Sequence, residues 1–390
     1  MRLSVKTTNK NCLDFADNAV NRCASVLVVL ITACTLSAQT GEINVSAMIE
    51  PIRQSTHLPS LGAAIVTEKG LEASGVTGVR KAGTNVSVTI DDVWHLGSDT
   101  KAMTAVVIAT LVERGTITWE TAIGTVFPEL ASSFPAEFRA ITLTELLSHH
   151  AGLQRNIDWQ RASRSSSSLT EQRIYALKTA AATRLDSHPG TKHMYSNLGY
   201  TIAGTIAEHM SGKQWESLIQ DIVFIPLGMT SCGFGGTGTP GKIDQPWPHG
   251  ENGKPRPLNG PGVDNPEVLG PAGTVHCSIA DWAKFITDQL RGEHGAGALL
   301  KPETYKALHT PRFGGEYAFG WEVLSRTWAD GTVFQHSGSN TMNFCIVWIA
   351  PNRGFAVLAV TNQGGTAAQR GTDEAVAALI RKHNGSSRGL

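Results

Sequence analysis

Trp94-His95-Leu96-Gly97-Ser98-Asp99-Thr100-Lys101 stands directly before an apolar run from Ala102 to Leu111, and this run predicts a helix that ends near Arg114. Ser98 and Lys101 are three residues apart, so both side chains lie on one face of a helix. A serine hydroxyl becomes a good nucleophile only beside a base, and a lysine is such a base when burial or a helix N-terminus lowers its pKa. This stretch, with the only Ser-x-x-Lys of the chain, therefore predicts a nucleophile and its activator.

The composition is that of a folded globular protein with a sizeable core. The 390-residue chain has 41% hydrophobic and 17% charged residues. Lys plus Arg and Asp plus Glu number 33 each, so the formal net charge is zero and no field attracts nucleic acid or an anionic membrane. We therefore exclude nucleic-acid binding. The length predicts two lobes, or one large domain with an insertion.

Residues 1–38 are typical of a secretion signal. The apolar stretch Ala24–Ala38 follows several basic residues and is shorter than the about 20 residues that span a membrane. Ile31-Thr32-Ala33-Cys34 also resembles a lipoprotein box, in which Cys34 would carry a lipid and attach the protein to a membrane. An uncleaved anchor is the remaining alternative. We expect export to the periplasm or the outside of the cell.

Three cysteines follow this leader, namely Cys232, Cys277 and Cys345. Their spacing matches neither a disulfide framework nor a zinc site. One disulfide could form in an oxidising compartment, but free buried thiols are favoured because unpaired cysteine is among the most buried residue types.

The remaining pattern predicts an α/β (α+β) fold with an antiparallel sheet flanked by helices. Strands are predicted at Leu61–Val66, Ala73–Val79, Val86–Ile90, Val333–Gln335, Asn343–Ala350 and Gly354–Thr361. Between these two groups the pattern is mostly helical. We expect one discontinuous lobe from residues 39–116 and 272–390, a helical lobe from residues 117–271, and an active site between them.

A second triplet, Tyr195-Ser196-Asn197, falls at a predicted loop-to-helix junction. A phenol near cations loses its proton more easily, so Tyr195 could take the proton from Ser98. Asn197 has donors and an acceptor, and can hold Lys101 while it binds a substrate oxygen.

A third triplet, His336-Ser337-Gly338, ends a predicted strand. Gly338 has no side chain and would let the backbone approach a substrate closely. Adjacent histidines at His149 and His150 suggest a metal site, but they point in different directions on a helix and no third ligand stands at useful spacing. We expect no metal and no cofactor.

The order Ser-x-x-Lys, Tyr-x-Asn, His-x-Gly resembles that of the serine β-lactamase and penicillin-binding protein superfamily. The class C-like branch, with class C β-lactamases, secreted DD-peptidases, D-aminopeptidases and family VIII carboxylesterases, is the most similar. Ile141–Leu153 and Gly270–Asp281 are similar to recurrent segments of that branch. The resemblance covers roughly residues 60 to 380.

The resemblance implies roles for the site residues. Ser98 would be the acylated nucleophile, and Lys101 and Tyr195 would share the work of the general base. Asn197 would orient Lys101 and the substrate. The oxyanion hole would consist of the backbone N–H groups of Ser98 and Ser339, the residue after Gly338.

His336 occupies the position where β-lactamases most often have a lysine that binds a substrate carboxylate. A histidine titrates near pH ~6.5 and can be neutral, which argues against efficient β-lactam hydrolysis. Arg370 is an alternative cation. We expect a serine hydrolase that cleaves a small ester or amide. The alternatives are a β-lactamase or D-amino-acid peptidase, acting on a β-lactam or peptide, and a penicillin-binding sensor without turnover.

Overall fold

The stretch that begins at Trp94 forms a tight turn and a buried helix. In the computed structural model, which describes residues 43–259 and 264–386, Gly97–Asp99 is a 3₁₀ turn that leads directly into a helix at Thr100–Glu113. Every residue from Thr100 to Leu111 is buried. A helix that is apolar all round belongs inside a core, and this one confirms the predicted helix. The predictions for residues 1–38, including Cys34, lie outside the described residues.

Ten strands form within the described ranges. They are β1 Ile43–Asn44, β2 Ser60–Thr67, β3 Gly70–Gly78, β4 Val93–His95, β5 Gly233–Phe234, β6 Val275–Ser278, β7 Glu322–Arg326, β8 Gly331–Ser339, β9 Phe344–Ala350 and β10 Phe355–Thr361. Seven of them make one sheet in the order β1-β3-β2-β10-β9-β8-β7, and β4, β6 and β5 make a second, small sheet. All pairs in both sheets are antiparallel except β1 with β3.

Helices cover both faces of the large sheet and fill the middle of the chain. The α-helices of the described residues are α1 Ser46–Ser55, α2 Thr100–Glu113, α3 Ile123–Val126, α4 Pro128–Ala131, α5 Ala136–Arg139, α6 Leu143–Leu147, α7 Trp159–Ser163, α8 Leu169–Ala181, α9 Asn197–Ser211, α10 Trp215–Ile219, α11 Ile225–Leu227, α12 Gly270–Gly273, α13 Ile279–Glu293, α14 Pro302–Leu308 and α15 Thr366–Ser386. A π-helical turn, Gln220–Phe224, joins α10 to α11. The predicted mixed α/β fold with a flanked sheet is confirmed.

The two faces of the large sheet have separate cores. Along β10, Phe355, Val357 and Ala359 pack with residues of α1 and α15, whereas Ala356 and Leu358 pack with the core that contains α2. Successive side chains of a strand point to opposite faces, which explains this alternation. Because both faces are covered, the whole of β10 is buried and its sequence is continuously apolar.

The predicted strand Val86–Ile90 is wrong. Only Ser87 pairs, in an isolated bridge with Val79. The Asp92 carboxylate accepts hydrogen bonds from the backbone N–H and the hydroxyl of Thr89, and this draws the chain into a turn. A local side-chain bond therefore replaces the strand ladder.

The cysteines also differ from the expectation of free thiols. Cys232 and Cys277 form a disulfide, and Cys345 is free and buried. The register explains the pairing, because β5 and β6 run antiparallel with Gly233 opposite His276, which brings the two cysteines together. The sequence could not show this, since β5 has only two residues.

The described residues belong to one compact unit. The predicted division into a lobe of residues 39–116 and 272–390 and a helical lobe of residues 117–271 stays a prediction. None of the described helices is both long and apolar enough to cross a membrane.

Candidate active site

The Lys101 amine lies at the centre of a buried cluster. Its Nζ donates hydrogen bonds to Asn197 Oδ1 at 2.8 Å and to the carbonyl oxygen of Ala272 at 2.7 Å, and it lies 3.0 Å from Ser98 Oγ, within hydrogen-bond distance. Ser98 and Lys101 are one helical turn apart, as their spacing predicts. Asn197 is the first residue of α9, whose N-cap Ser196 accepts a hydrogen bond from the N–H of Gly199 at 3.0 Å.

Lys101 is fully buried, and this changes its protonation. Burial lowers the pKa of Lys101 well below its usual value, and the charge of Arg155 lowers it further, whereas Asp99 acts in the opposite direction. Desolvation disfavours the ammonium form. A neutral amine 3.0 Å from a serine hydroxyl can accept the hydroxyl proton.

Tyr195 lies beside this pair but stays a phenol. The Lys101 Nζ is 4.8 Å from the centre of its ring. Burial raises the pKa of Tyr195 above its usual value, and this outweighs both its hydrogen bond with Ser98 and the charge of Arg155. The expectation that nearby cations ease its deprotonation is therefore not met, because desolvation is the larger effect. Lys101 is the better base of the two.

His149 fixes the Tyr195 segment from both sides, a role that the sequence analysis missed. Its carbonyl oxygen accepts from the N–H of Met194 at 2.7 Å, and its Nδ1 accepts from the N–H of Ser196 at 3.1 Å. The two ring centres of His149 and Tyr195 are 4.3 Å apart. Burial lowers the pKa of His149 well below its usual value, so the ring is neutral and Nδ1 is free to accept.

His336 is buried and both of its ring nitrogens have partners. Its Nδ1 lies 2.9 Å from the carbonyl oxygen of Ser337 and 3.3 Å from Asp99 Oδ1. Both are acceptors, so Nδ1 carries a proton. Its Nε2 lies 3.1 Å from the hydroxyl of Tyr317, another residue that the sequence did not reveal. His336 is only 4% exposed, and each ring nitrogen has a protein partner.

The end of β8 packs tightly against the turn that carries Ser98. A Cβ on Gly338 would lie 1.9 Å from the carbonyl oxygen of Leu96 and 2.9 Å from the nitrogen of Ser98. A Cβ on Gly97, whose φ is +48°, would lie 2.3 Å from the nitrogen of Ser339. Only glycine permits these short distances between the end of β8 and the turn before Ser98. The backbone nitrogens of Ser98 and Ser339 therefore lie on two segments that pack directly against each other.

Asp264 connects both of these segments from behind. His95 Nε2 lies 2.9 Å from Asp264 Oδ1 in a close but bent contact, and His95 Nδ1 accepts from the N–H of Gly97 at 3.0 Å. The same carboxylate oxygen accepts from Asn340 Nδ2 at 2.8 Å. Burial would raise the pKa of Asp264, but His95 and Asn340 together hold it below its usual value. One charged carboxylate thus supports the turn before Ser98 and the residue after Ser339.

We expect Asp264→Ala to lower kcat by ~10- to 100-fold with little change in KM, because a small displacement of the two backbone donors disturbs the transition state more than substrate binding. Steady-state kinetics with a chromogenic ester check this. Asp264→Asn retains an acceptor for His95 and should recover part of the loss. The matched control is Asp221→Ala, which removes an exposed carboxylate paired with Lys213. An Asp264→Ala variant with the kcat of the wild type would contradict the role.

Two arginines are candidate cations for a substrate carboxylate, Arg370 from the sequence and Arg155 from the structure. Arg370 lies on α15, where it donates to the carbonyl oxygen of Ser55 and is 3.7 Å from Glu374. The structure does not bring Arg370 to Ser98. Arg155 is exposed, and its Cζ lies 5.0 Å from the ring centre of Tyr195. No motif marked Arg155, because only the packing of its loop against the start of α9 places it there.

Comparison with known proteins identifies the family of this chain. The sequence profile of the family described as Beta-lactamase matches residues 45–382. The chain belongs to the Beta-lactamase family. This confirms the resemblance to the serine β-lactamase and penicillin-binding protein superfamily that the three triplets indicate.

Two curated proteins are similar to this chain over most of its length. Penicillin-binding protein 4 of Amycolatopsis lactamdurans is 26% identical over 347 residues, which cover 83% of this chain and 86% of that protein. Unguisins hydrolase ungD' of Aspergillus campestris (strain IBT 28561) is 26% identical over 334 residues, or 78% of this chain. The matched part spans only 59% of that hydrolase.

Solved structures show the same fold at low sequence identity. The octameric penicillin-binding protein homologue from Pyrococcus abyssi superposes with a TM-score of 0.67 at 21% identity, over 86% of this chain and 76% of that one. The D-alanine carboxypeptidase AmpC from Burkholderia cenocepacia gives a TM-score of 0.66 at 20% identity, over 84% of this chain and 97% of that one. The family is one of serine hydrolases.

Proposed function

We propose that this protein hydrolyses an ester or amide through an acyl-enzyme on Ser98. The observation that carries the proposal is the fully buried Lys101 amine, whose pKa is lowered, at 3.0 Å from the Ser98 hydroxyl. A nucleophile with a base in hydrogen-bond reach, and a third group that orients the base, is the arrangement that covalent catalysis requires. Asn197 Oδ1 and the carbonyl oxygen of Ala272 are the orienting groups.

Acylation begins when Lys101 Nζ takes the proton of Ser98 Oγ, and the oxygen attacks the substrate carbonyl carbon. The backbone N–H groups of Ser98 and Ser339 stabilise the negative oxygen of the tetrahedral intermediate. When the intermediate collapses, the leaving group needs a proton. Tyr195, which is protonated and lies beside Lys101, donates it, and the Lys101 ammonium returns a proton to Tyr195.

Deacylation uses the same groups in reverse. Once the leaving group departs, a water molecule takes its place beside Tyr195 and Lys101. The neutral Lys101 accepts a proton of this water through Tyr195, and the resulting hydroxide attacks the acyl carbonyl. Collapse of the second intermediate restores the Ser98 hydroxyl. The cycle needs neither metal nor cofactor.

The environment of His336 favours esters and unstrained amides over β-lactams. A cation that binds a substrate carboxylate must present a free, charged donor. His336 is 4% exposed and its nitrogens already contact Asp99, Ser337 and Tyr317. It therefore offers no donor for a carboxylate at this side of the site.

A D-amino-acid peptidase is the second candidate. The name of one relative, a penicillin-binding protein, supports it. A free cation at the site, Arg155, supports it as well, since a terminal carboxylate needs such a partner. A penicillin-binding sensor without turnover is the least favoured candidate. The neutral Lys101 can accept a proton from water, and this would release the acyl group.

A substrate panel distinguishes these candidates. We expect kcat/KM for p-nitrophenyl butyrate to exceed that for nitrocefin by at least about tenfold, because one charge-assisted hydrogen bond to the β-lactam carboxylate is missing at His336. Release of D-alanine from a D-alanyl-D-alanine peptide tests the second candidate. Faster turnover of nitrocefin than of the ester would contradict the proposal, and a stable penicillin adduct without ester turnover would indicate the sensor.

We also propose that the protein acts outside the cytoplasm. The apolar leader segment Ala24–Ala38 supports this. The Cys232–Cys277 disulfide supports it independently, because such bonds persist mainly in oxidising compartments.

A further inference from the structure

Arg155 places a positive charge at the edge of the site, beside Tyr195. Its carbonyl oxygen accepts from the N–H groups of Asn197 at 2.9 Å and Leu198 at 3.4 Å, which ties its backbone to the start of α9. Its guanidinium carbon is 5.0 Å from the ring centre of Tyr195. Within residues 43–259 and 264–386 no carboxylate forms an ion pair with it, although its side chain is exposed.

The charge of Arg155 reaches the reacting groups. Burial is the largest cause of the lowered pKa of Lys101, and the charge of Arg155 is the next largest. The same charge opposes the rise in the pKa of Tyr195 that burial causes. An anionic substrate group near Tyr195 would therefore lie within the field of this one guanidinium. The arginine fork matches the two oxygens of a carboxylate, and its contact with the aromatic ring restricts its motion.

The opposite charge lines a separate cavity near Tyr195. This cavity, of about 280 Å³, is lined by His193, Glu316, Tyr317, Glu322 and Leu324. The charges of Asp99 and Glu322 act on Tyr195 in the opposite direction to Arg155. An anion would be repelled from the two glutamates and attracted to Arg155. This distribution of charge favours an anionic substrate group on the Arg155 side of Tyr195 over one in the glutamate-lined cavity.

We propose that Arg155 binds a carboxylate of the substrate close to the scissile bond. The proposal rests on acylation of Ser98 and specifies which esters or amides the enzyme prefers. It assigns the recognition of the carboxylate to the loop between α6 and α7, which packs against the start of α9, and not to His336 or Arg370. Asn156, the next residue, accepts from Asn197 Nδ2 at 2.9 Å, so this loop is already joined to the group that holds Lys101.

Matched pairs of esters test the proposal. The first pair is mono-p-nitrophenyl adipate and p-nitrophenyl hexanoate, which differ by a carboxylate on the acyl side. The second is 3-acetoxybenzoate and its methyl ester, which differ by a carboxylate on the leaving group. The readout is the ratio of kcat/KM, anionic over neutral. Any effect of Arg155 on Lys101 cancels in this ratio, because both esters meet the same enzyme.

We expect the wild type to favour the anionic ester in at least one pair and Arg155→Ala to lower that ratio by about tenfold or more, the effect of one charge-assisted hydrogen bond. Arg155→Lys should retain part of the ratio, and Arg155→Glu should lower it further than alanine does. High salt should reduce the wild-type ratio. Arg370→Ala is the matched control and should leave it unchanged.

One result overturns the proposal: Arg155→Ala changes the anionic and neutral rates by the same factor in both pairs. Arg155 would then only tune Lys101, and the pH profile for the neutral ester would shift without any change in substrate preference. Failure of the proposed function is seen separately, because the neutral esters would then leave no acyl group on Ser98 in intact-mass spectra.

Discussion

Ser98→Ala is expected to reduce kcat for p-nitrophenyl butyrate on the order of ten-thousand-fold to a million-fold, the loss seen when a nucleophile is removed from a cooperating catalytic set. The reason is geometric. Lys101 Nζ is 3.0 Å from Ser98 Oγ, and the backbone of Gly338 and Ser339 lies against the same turn. A substrate carbonyl bound at the backbone nitrogens of Ser98 and Ser339 needs the Ser98 hydroxyl as its nucleophile, and Ser98→Ala removes that hydroxyl.

Steady-state rates at saturating ester measure this effect, and a thermal melt shows that the variant is folded. Ser133→Ala is a suitable control because Ser133 is an exposed serine whose hydroxyl bonds only the carbonyl oxygen of Leu130. If Ser98→Ala kept a tenth of the wild-type rate, another residue would be the nucleophile and the proposed mechanism would be wrong.

Lys101→Ala is expected to lower kcat about a hundredfold to ten-thousand-fold, the usual contribution of a general base. Lys101→Arg should not restore activity, because the guanidinium stays protonated and cannot accept the Ser98 proton. Lys213→Ala, which removes an exposed ammonium paired with Asp221, is the matched control. The rates are measured with the same ester under saturating conditions.

The protonation state of Lys101 determines how kcat changes with pH. The active form has a neutral Lys101, so kcat rises as the pH increases through the pKa of Lys101 and is flat above it. Burial and Arg155 lower that pKa well below its usual value of 10.5, so the plateau begins at lower pH than an exposed lysine would allow. Lys101→Ala should lack this acid limb. An unchanged limb in Lys101→Ala would show that a different group is titrating.

Local patterns in the sequence predicted the parts of the fold that local forces determine. The apolar run after Lys101 became α2, and the three C-terminal strands became β8, β9 and β10. The segments of α2, β9 and β10 are largely apolar and buried, so the sequence pattern for them is strong. The strand Val86–Ile90 failed because a side chain, Asp92, competed for its backbone.

The motif residues were also found from sequence, since Ser98, Lys101, Tyr195 and Asn197 do meet around one amine. The residues that support them were not. His149, Asp264 and Tyr317 act through contacts with segments distant in sequence, and no spacing rule predicts such contacts. The Tyr195 pKa shows the same limitation, because its direction depends on burial in the folded chain.

Arg155 and the Cys232–Cys277 disulfide were missed for a related reason. Each depends on the register or packing of a short segment: β5 has two residues, and the Arg155 loop has no regular structure of its own. Nonetheless, Arg155 is the residue that most affects the choice of substrate in our account.

The central claim is that Ser98 becomes covalently acylated during turnover. Rapid acid quench of the enzyme with p-nitrophenyl butyrate, followed by intact-mass and peptide mapping, tests it most directly. We predict a mass increase of one butyryl group on the peptide that contains Ser98, absent in Ser98→Ala and lost as substrate is exhausted. Continued turnover with no adduct, or an adduct on any other residue, would contradict the account.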